Sequence, residues 1–387
     1  MKTITSILLA VTLFFVAAVS FGCGASASDG NGNVKDGKTA VGELSIDERA
    51  DKIIASMTLT EKIGQMVMIG VHGTEMNDDI RYMLRQFHFG GVILFDRNME
   101  SKTQVKNFVA RIQDEADEKV PLFIAVDEEG GDVVRMEDDL TPPPSAKSIG
   151  ESGDPNVARL WAERTGKELK AMGINVNFAP VVDVATESTF DSRSYSDDAG
   201  IVAEFAGSAA DGYEAAGVMY ALKHFPGIGR GKVDSHKEIS SIDAERDELM
   251  AVDLLPYREM FESHPSEKMN YFVLVSHLLY PALDSENGAS LSAAVMTGLL
   301  RDELGYRGIV ITDDMEMGAV ANHNDFRDAG VEAVKAGADI VMVCHDYEHE
   351  QDAYMGILDA ARNGEISEER IDESARRIVK AKLLNLR

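Results

Sequence analysis

The sequence predicts an α/β fold: a (β/α)8 TIM-type barrel, with irregularity expected at the first strands. Three observations carry this expectation. Eight short apolar runs recur along the 387 residues, and each is continuous rather than alternating, as parallel strands covered on both faces require. Segments with helical spacing separate them. The chain left after the first 43 residues suits one barrel.

The elements follow in order. Ser45-Ile46-Asp47-Glu48 resembles a capping box and opens a first helix. Strand runs are expected at 66–71, 91–95, 122–126 and 175–179, then at 218–222, 272–276, 308–312 and 339–344. Helical spacing is found at 77–87, 102–118, 155–172, 199–216, 243–263, 293–304 and 325–336, and two more helices at 348–362 and 367–384 complete the pattern. A doubly wound open sheet is the alternative arrangement. No GxGxxG follows the first strand and no loop is a P-loop, so the dinucleotide and nucleotide forms of that sheet find no support. The expected layout is a signal peptide at 1–22, a lipidated cysteine with a flexible tether at 23–43, and a catalytic barrel domain at 44–387, with no second domain expected.

Composition narrows the function. A net charge of −28 argues against nucleic acid, because phosphate binding needs a basic face. The 44% hydrophobic content allows a large core. Lys2 followed by an apolar run at 8–19 reads as an export signal, too short to span a bilayer. Ser20-Phe21-Gly22-Cys23 resembles a bacterial lipobox, which implies a lipid anchor on Cys23 and an exported protein of the cell or outer membrane. Ordinary secretion, to the periplasm or beyond, is the rival. Residues 24–43 are rich in Gly, Ser, Asp, Asn and Lys, as a tether would be. Cys344, within ADIVMVCH, reads as a buried apolar residue.

In a barrel, chemistry sits at the carboxyl ends of the strands. Here the third run leads into Asp127-Glu128-Glu129, the fourth into Asp183, the fifth into Lys223-His224, the sixth into His277 and the seventh into Asp313-Asp314. A metal hydrolase built from His224, His277 and Asp313 is one reading, although the chain has no HExxH and no paired CxxC. A serine hydrolase lacks its Gly-x-Ser-x-Gly elbow. Carboxylate chemistry with polyol recognition is the remaining theme. Glycoside hydrolysis needs an acid for the departing oxygen and, in retaining enzymes, a carboxylate that attacks the sugar. Asp313 ends the run IVITD, which would fix it for attack. Strand alternation predicts that Asp314 points the other way.

Lys223-His224-Phe225-Pro226-Gly227 with Asp234-Ser235-His236 resembles the KHFPGHG…DSH signature of bacterial β-N-acetylglucosaminidases of glycoside hydrolase family 3. The similarity extends to AVDEEGGDVVR at 125–135, NVNFAPVVDV at 175–184, SRSYS at 192–196, SHLLYPALD at 276–284 and ITDDMEMGAV at 311–320. The resemblance implies a barrel enzyme with Asp313 as nucleophile and His236, oriented by Asp234, as acid/base. It implies that Asp127, Arg135, Arg193, Lys223 and His224 bind the sugar. Asp183 and His277 are expected to line the pocket, Met315 and Met317 to lie in the core or the pocket wall, and Gly227, Gly229 and Gly231 to free the loop to move. No metal or organic cofactor is implied, and the expected partner is an N-acetylglucosamine-containing oligosaccharide met by a monomer.

The chain departs from the signature in places. Ile228 stands where His is frequent, and Asp132 where Arg is common. Arg230 and Lys232 add loop charge, either to meet an acidic aglycone or simply to be solvated. The rival activities are a β-N-acetylglucosaminide phosphorylase, a β-glucosidase of the same superfamily, and a sugar-binding lipoprotein without catalysis.

Overall fold

The computed structural model describes residues 44–115, 120–136, 139–186, 191–231 and 240–386. Ten strands occur among them: β1 (Val67–Ile69), β2 (Gly91–Ile93), β3 (Phe123–Val126), β4 (Val176–Asn177) and β5 (Met219–Phe225), then β6 (Tyr271–Val275), β7 (Leu279–Tyr280), β8 (Asp284–Gly288), β9 (Ile309–Asp314) and β10 (Ile340–Val343). Eight of them close a barrel in the order β1-β10-β9-β6-β5-β4-β3-β2. Each of the eight apolar runs read from the sequence overlaps one barrel strand. The short pair β7 and β8 is an antiparallel hairpin outside the barrel, and its polar DSENG strand carries no apolar run that would announce it.

Every barrel pairing is parallel. The irregularity expected at the first strands is found elsewhere: β1 and β2 pair in simple register. The breaks lie in β5, where Leu222 faces Val273 but Phe225 faces Val275, and in β9, where Ile311 faces Ile340 but Asp314 faces Met342. In each case the first strand of the pair carries one extra residue, a β-bulge, which interrupts the alternation of side chains. Among the described peptide bonds, Ala179–Pro180, Lys223–His224 and Phe225–Pro226 are cis.

Helices fill most of the positions expected of them. The segment at 243–263 is two helices, Arg246–Ala251 and Leu255–Ser263, with Pro256 near the start of the second supplying no amide to a continuous helix. The segment at 293–304 is wound as a π-helix, Ala294–Glu303, a choice that helical spacing does not reveal. Among the described residues no helix is long and apolar enough to cross a membrane.

Two buried groups anchor the barrel. Lys382, on the last helix (Glu368–Asn385), donates to Gln65 Oε1 at 2.6 Å and to the Gly90 carbonyl at 2.7 Å, and its Nζ lies 4.7 Å from the Phe123 ring. Asp339 accepts from Arg301 at 2.6 Å, Arg377 at 2.9 Å and the Ser374 hydroxyl at 2.6 Å. Burial raises the Asp339 carboxyl, but Arg301, Arg377 and Arg370 outweigh it and bring it down to about 2.

Candidate active site

The carboxyl ends of the strands surround a cavity of about 420 Å³, within the usual range for a small-molecule site. Asp127, Arg135, Arg193, Lys223, His224 and Asp313 all line it, so six of the eight residues expected at the site meet in one place. Asp234 and His236 lie outside the described residues.

The two bulges determine which side chains arrive. In β5 the extra residue lets consecutive Lys223 and His224 both reach the cavity. In β9 it does the same for Asp313 and Asp314. The expectation that Asp314 points away is therefore corrected: alternation fails where the strand carries an additional residue.

A buried charge array forms one wall. Lys223 Nζ lies 2.7 Å from Asp127 Oδ1 and 2.6 Å from Glu129 Oε1. Arg193 grips Glu129 with both a 2.8 Å and a 2.7 Å bond, the bidentate geometry that suits a planar guanidinium. Arg135 reaches Asp127 at 3.3 Å. Burial pushes the Glu129 carboxyl up, but Lys223 and Arg193 outweigh it and hold it below its ordinary value. For Asp127 the same opposition of burial by Lys223 and Arg135 leaves its carboxyl lowered. Burial lowers the Lys223 ammonium, and Asp127 and Glu129 more than restore it. The wall thus keeps its charges and presents fixed donors and acceptors, which is what hydroxyl groups, able to both donate and accept, can use.

Supports behind this wall fix its parts. Asp183 Oδ2 lies 2.7 Å from His224 Nδ1, and Asp183 Oδ1 accepts from the amides of His224 and Ile228 at 3.1 and 2.9 Å. His224 Nε2 lies 3.3 Å from an Arg193 nitrogen that can only donate, so Nδ1 carries the ring hydrogen and donates to Asp183. Asp132 accepts from Ser192 at 2.7 Å, beside Arg193. Asp132 thus steadies the short helix Asp191–Arg193. Glu128 turns away from the cavity, accepts from the Arg135 amide at 2.9 Å, and is pushed up to about 7 by burial.

Several expectations need correction. His277 does not line the cavity. It is buried, with Nδ1 2.6 Å from the Ser290 hydroxyl and Nε2 2.8 Å from the Asp314 carbonyl. Both ring nitrogens are occupied, which removes the His224, His277 and Asp313 metal grouping. Asp183 likewise acts from behind the wall. Met315 joins the core and Met317 faces the cavity. Arg230 neither meets the cavity nor stands solvated: Asp253 and Glu248 hold it at 2.9 and 2.8 Å. Gly229 serves close packing, since a Cβ there would sit 1.9 Å from the Val184 carbonyl oxygen.

Glu129, Asp314, Phe95 and His345 also line the cavity; Glu129 and Asp314 stand out in the sequence only as strand-end carboxylates, and nothing there assigns any of the four to the pocket. Glu129 stands two residues after Asp127, a spacing that returns a side chain to the same side of an extended segment. His345 directly follows the eighth apolar run, so the strand-end rule applied once more would have found it.

Fold and rim together define a (β/α)8 barrel with a polar, carboxylate-centred cavity at its carboxyl end. The family model described as glycosyl hydrolase family 3 N terminal domain matches residues 58–381, and the chain belongs to that family of glycoside hydrolases. It is 34% identical over 288 residues to a β-hexosaminidase of Nitrosomonas eutropha, covering 72% of this chain and 80% of that one. It is 34% identical to β-hexosaminidase A of Pseudoalteromonas piscicida, covering 80% of this chain and 56% of the relative. The solved structure of a glycoside hydrolase family 3 β-N-acetylglucosaminidase from Paenibacillus sp. superposes with a TM-score of 0.82 at 39% identity, covering 86% of this chain and 63% of that one. The chain thus spans little more than half of the Pseudoalteromonas relative.

Proposed function

We propose that the chain is a retaining exo-β-N-acetylglucosaminidase that releases terminal β-linked N-acetylglucosamine from peptidoglycan fragments or chitooligosaccharides. The observation that carries this is the position of Asp313 in the same cavity as the Asp127, Glu129, Lys223 and Arg193 array. The names of the relatives support the sugar, and the array's donors and acceptors suit its hydroxyls.

In the first step a carboxylate oxygen of Asp313 bonds to the anomeric carbon. The bond from that carbon to the aglycone oxygen breaks, and its electron pair leaves with the oxygen, which takes a proton from His236. In the second step His236 takes a proton from water, the water oxygen bonds to the anomeric carbon, and the bond to Asp313 breaks. Two inversions give retention. An imidazole suits the double duty because it titrates near neutral pH, with Asp234 orienting it. The protein acts as a monomer. It is exported and anchored by lipid on Cys23, a reading supported by Lys2, the apolar run at 8–19 and the cysteine after Gly22.

The test is turnover of the 4-nitrophenyl β-glycosides of N-acetylglucosamine and glucose, side by side, with and without phosphate. Release from the first alone, giving free sugar in phosphate, is expected. Preference for the glucoside points to the β-glucosidase, sugar 1-phosphate to the phosphorylase, and turnover of neither to a binding protein. Labelling with a tagged fatty acid, with Cys23→Ala as control, tests the anchor; an unlabelled wild-type protein overturns it.

A further inference from the structure

The residue after the proposed nucleophile is held at four of its atoms. The Asp314 amide donates to Asp313 Oδ1 at 2.9 Å. Its carbonyl accepts from His277 Nε2 at 2.8 Å. Its Oδ1 accepts from the Glu316 amide at 3.1 Å, and its Oδ2 lies 3.1 Å from His345 Nε2. The first three bonds lie within β9, the turn that follows it, and a buried histidine. The fourth comes from the segment after the neighbouring strand, β10.

His345 is in turn held by Arg97. Its Nδ1 lies 3.0 Å from Arg97 Nη1. A guanidinium only donates, so Nδ1 accepts and Nε2 bears the hydrogen that Asp314 receives. Arg97 is fixed by the Val71 carbonyl at 3.1 Å and the Cys344 carbonyl at 2.6 Å. Its guanidinium also lies 4.6 Å from the Phe95 ring centroid, and that ring lies 5.1 Å from the His345 ring. The Glu316 carboxylate accepts from the amides of Cys344 and His345, which pins the segment that carries the imidazole. Arg97 therefore joins the ends of β1, β2 and β10, and His345 passes that anchorage to Asp314.

We propose that Arg97 and His345 are positioning residues for Asp313: they hold the Asp314 carboxylate, and so the amide that engages Asp313 Oδ1, leaving Oδ2 as the attacking oxygen. This rests on the reading of Asp313 as nucleophile. A carboxylate free to rotate presents either oxygen at varying angles. One held by a single amide presents the other in a fixed direction, and such orientation is a large part of the rate of an intramolecular attack. The His345 side chain is 49% exposed at the cavity edge, so removing it opens no core void.

The test uses the full chain, with 4-nitrophenyl N-acetyl-β-glucosaminide as substrate and a slow fluorosugar inactivator whose site of attachment is mapped by peptide mass. His345→Ala is expected to lower kcat by roughly 10²-fold with KM changed by no more than about twofold, and to slow inactivation in step. The melting temperature stays that of the wild type. His345→Gln, whose amide hydrogen can stand where Nε2–H stood, restores most of kcat. Unchanged kcat in His345→Ala overturns the proposal. So does a loss shared by His345→Gln and accompanied by a lower melting temperature, since that marks a structural role. In either case a label on wild-type Asp313 leaves the nucleophile reading standing. A wild-type label absent from Asp313 overturns that reading and the positioning role with it.

Discussion

Replacing Glu129 by Gln tests whether the buried charge array orients Lys223 and Arg193, the cations proposed to bind the sugar. Glu129 is 5% exposed and accepts three charge-assisted bonds, from Lys223 at 2.6 Å and from Arg193 at 2.8 and 2.7 Å. Glutamine is nearly the same size but has one accepting oxygen. Its amide nitrogen must face Arg193 in either orientation, and Lys223 as well if it takes the place of Oε1, donor against donor, and the residue's negative charge is gone. Losing one such bond costs about 2 to 3 kcal/mol, which corresponds to roughly 30- to 150-fold. We expect kcat/KM for 4-nitrophenyl N-acetyl-β-glucosaminide to fall by that factor in Glu129→Gln. Thermal melting serves as the control for folding. A folded variant whose kcat/KM stays within about threefold of wild type would refute the reasoning, because Lys223 and Arg193 would then be held without Glu129.

Two further outcomes follow from other parts of the molecule. Asp339→Asn leaves Arg301, Arg370 and Arg377 around a neutral group and should cost about 3 to 5 kcal/mol, read as a lowered melting temperature. The Asp339 carboxyl is depressed to about 2 from 3.8, so its stabilisation is fully present above about pH 4 and fades as pH falls through about 2. The wild-type advantage over Asp339→Asn should shrink as pH falls through that window, and a constant gap would count against the assignment. His236→Ala should impair substrates with poor leaving groups more than activated aryl glycosides, because only the former need the proton. Equal losses on both would argue against an acid.

The barrel was legible because parallel strands buried on both faces leave continuous apolar runs, and 66–71 through 339–344 are such runs. The hairpin of β7 and β8 was not, since a polar DSENG segment has no burial to record. At the site, strand-end position and the KHFPG and ITDD motifs pointed to Lys223, His224 and Asp313. What they missed depends on register. One added residue in β5 and one in β9 put neighbouring side chains into the same cavity, and no period read along one strand reveals a bulge set by its partner. Glu129 was passed over because three acidic residues in succession look alike until packing separates them. Glu128 is turned inward, Asp127 and Glu129 toward Lys223. His277 misled for the opposite reason: it occupies a strand end, yet Ser290 and the Asp314 carbonyl take up its ring.

The central claim is that Asp313 carries the sugar during turnover. Incubation with a fluorosugar of N-acetylglucosamine that forms its glycosyl-enzyme quickly and hydrolyses it slowly, followed by peptide mass mapping, tests this most directly. A single added sugar on the peptide containing Asp313, absent from Asp313→Ala, is predicted. A sugar attached to another residue, or an active enzyme that never acquires one, would contradict the account.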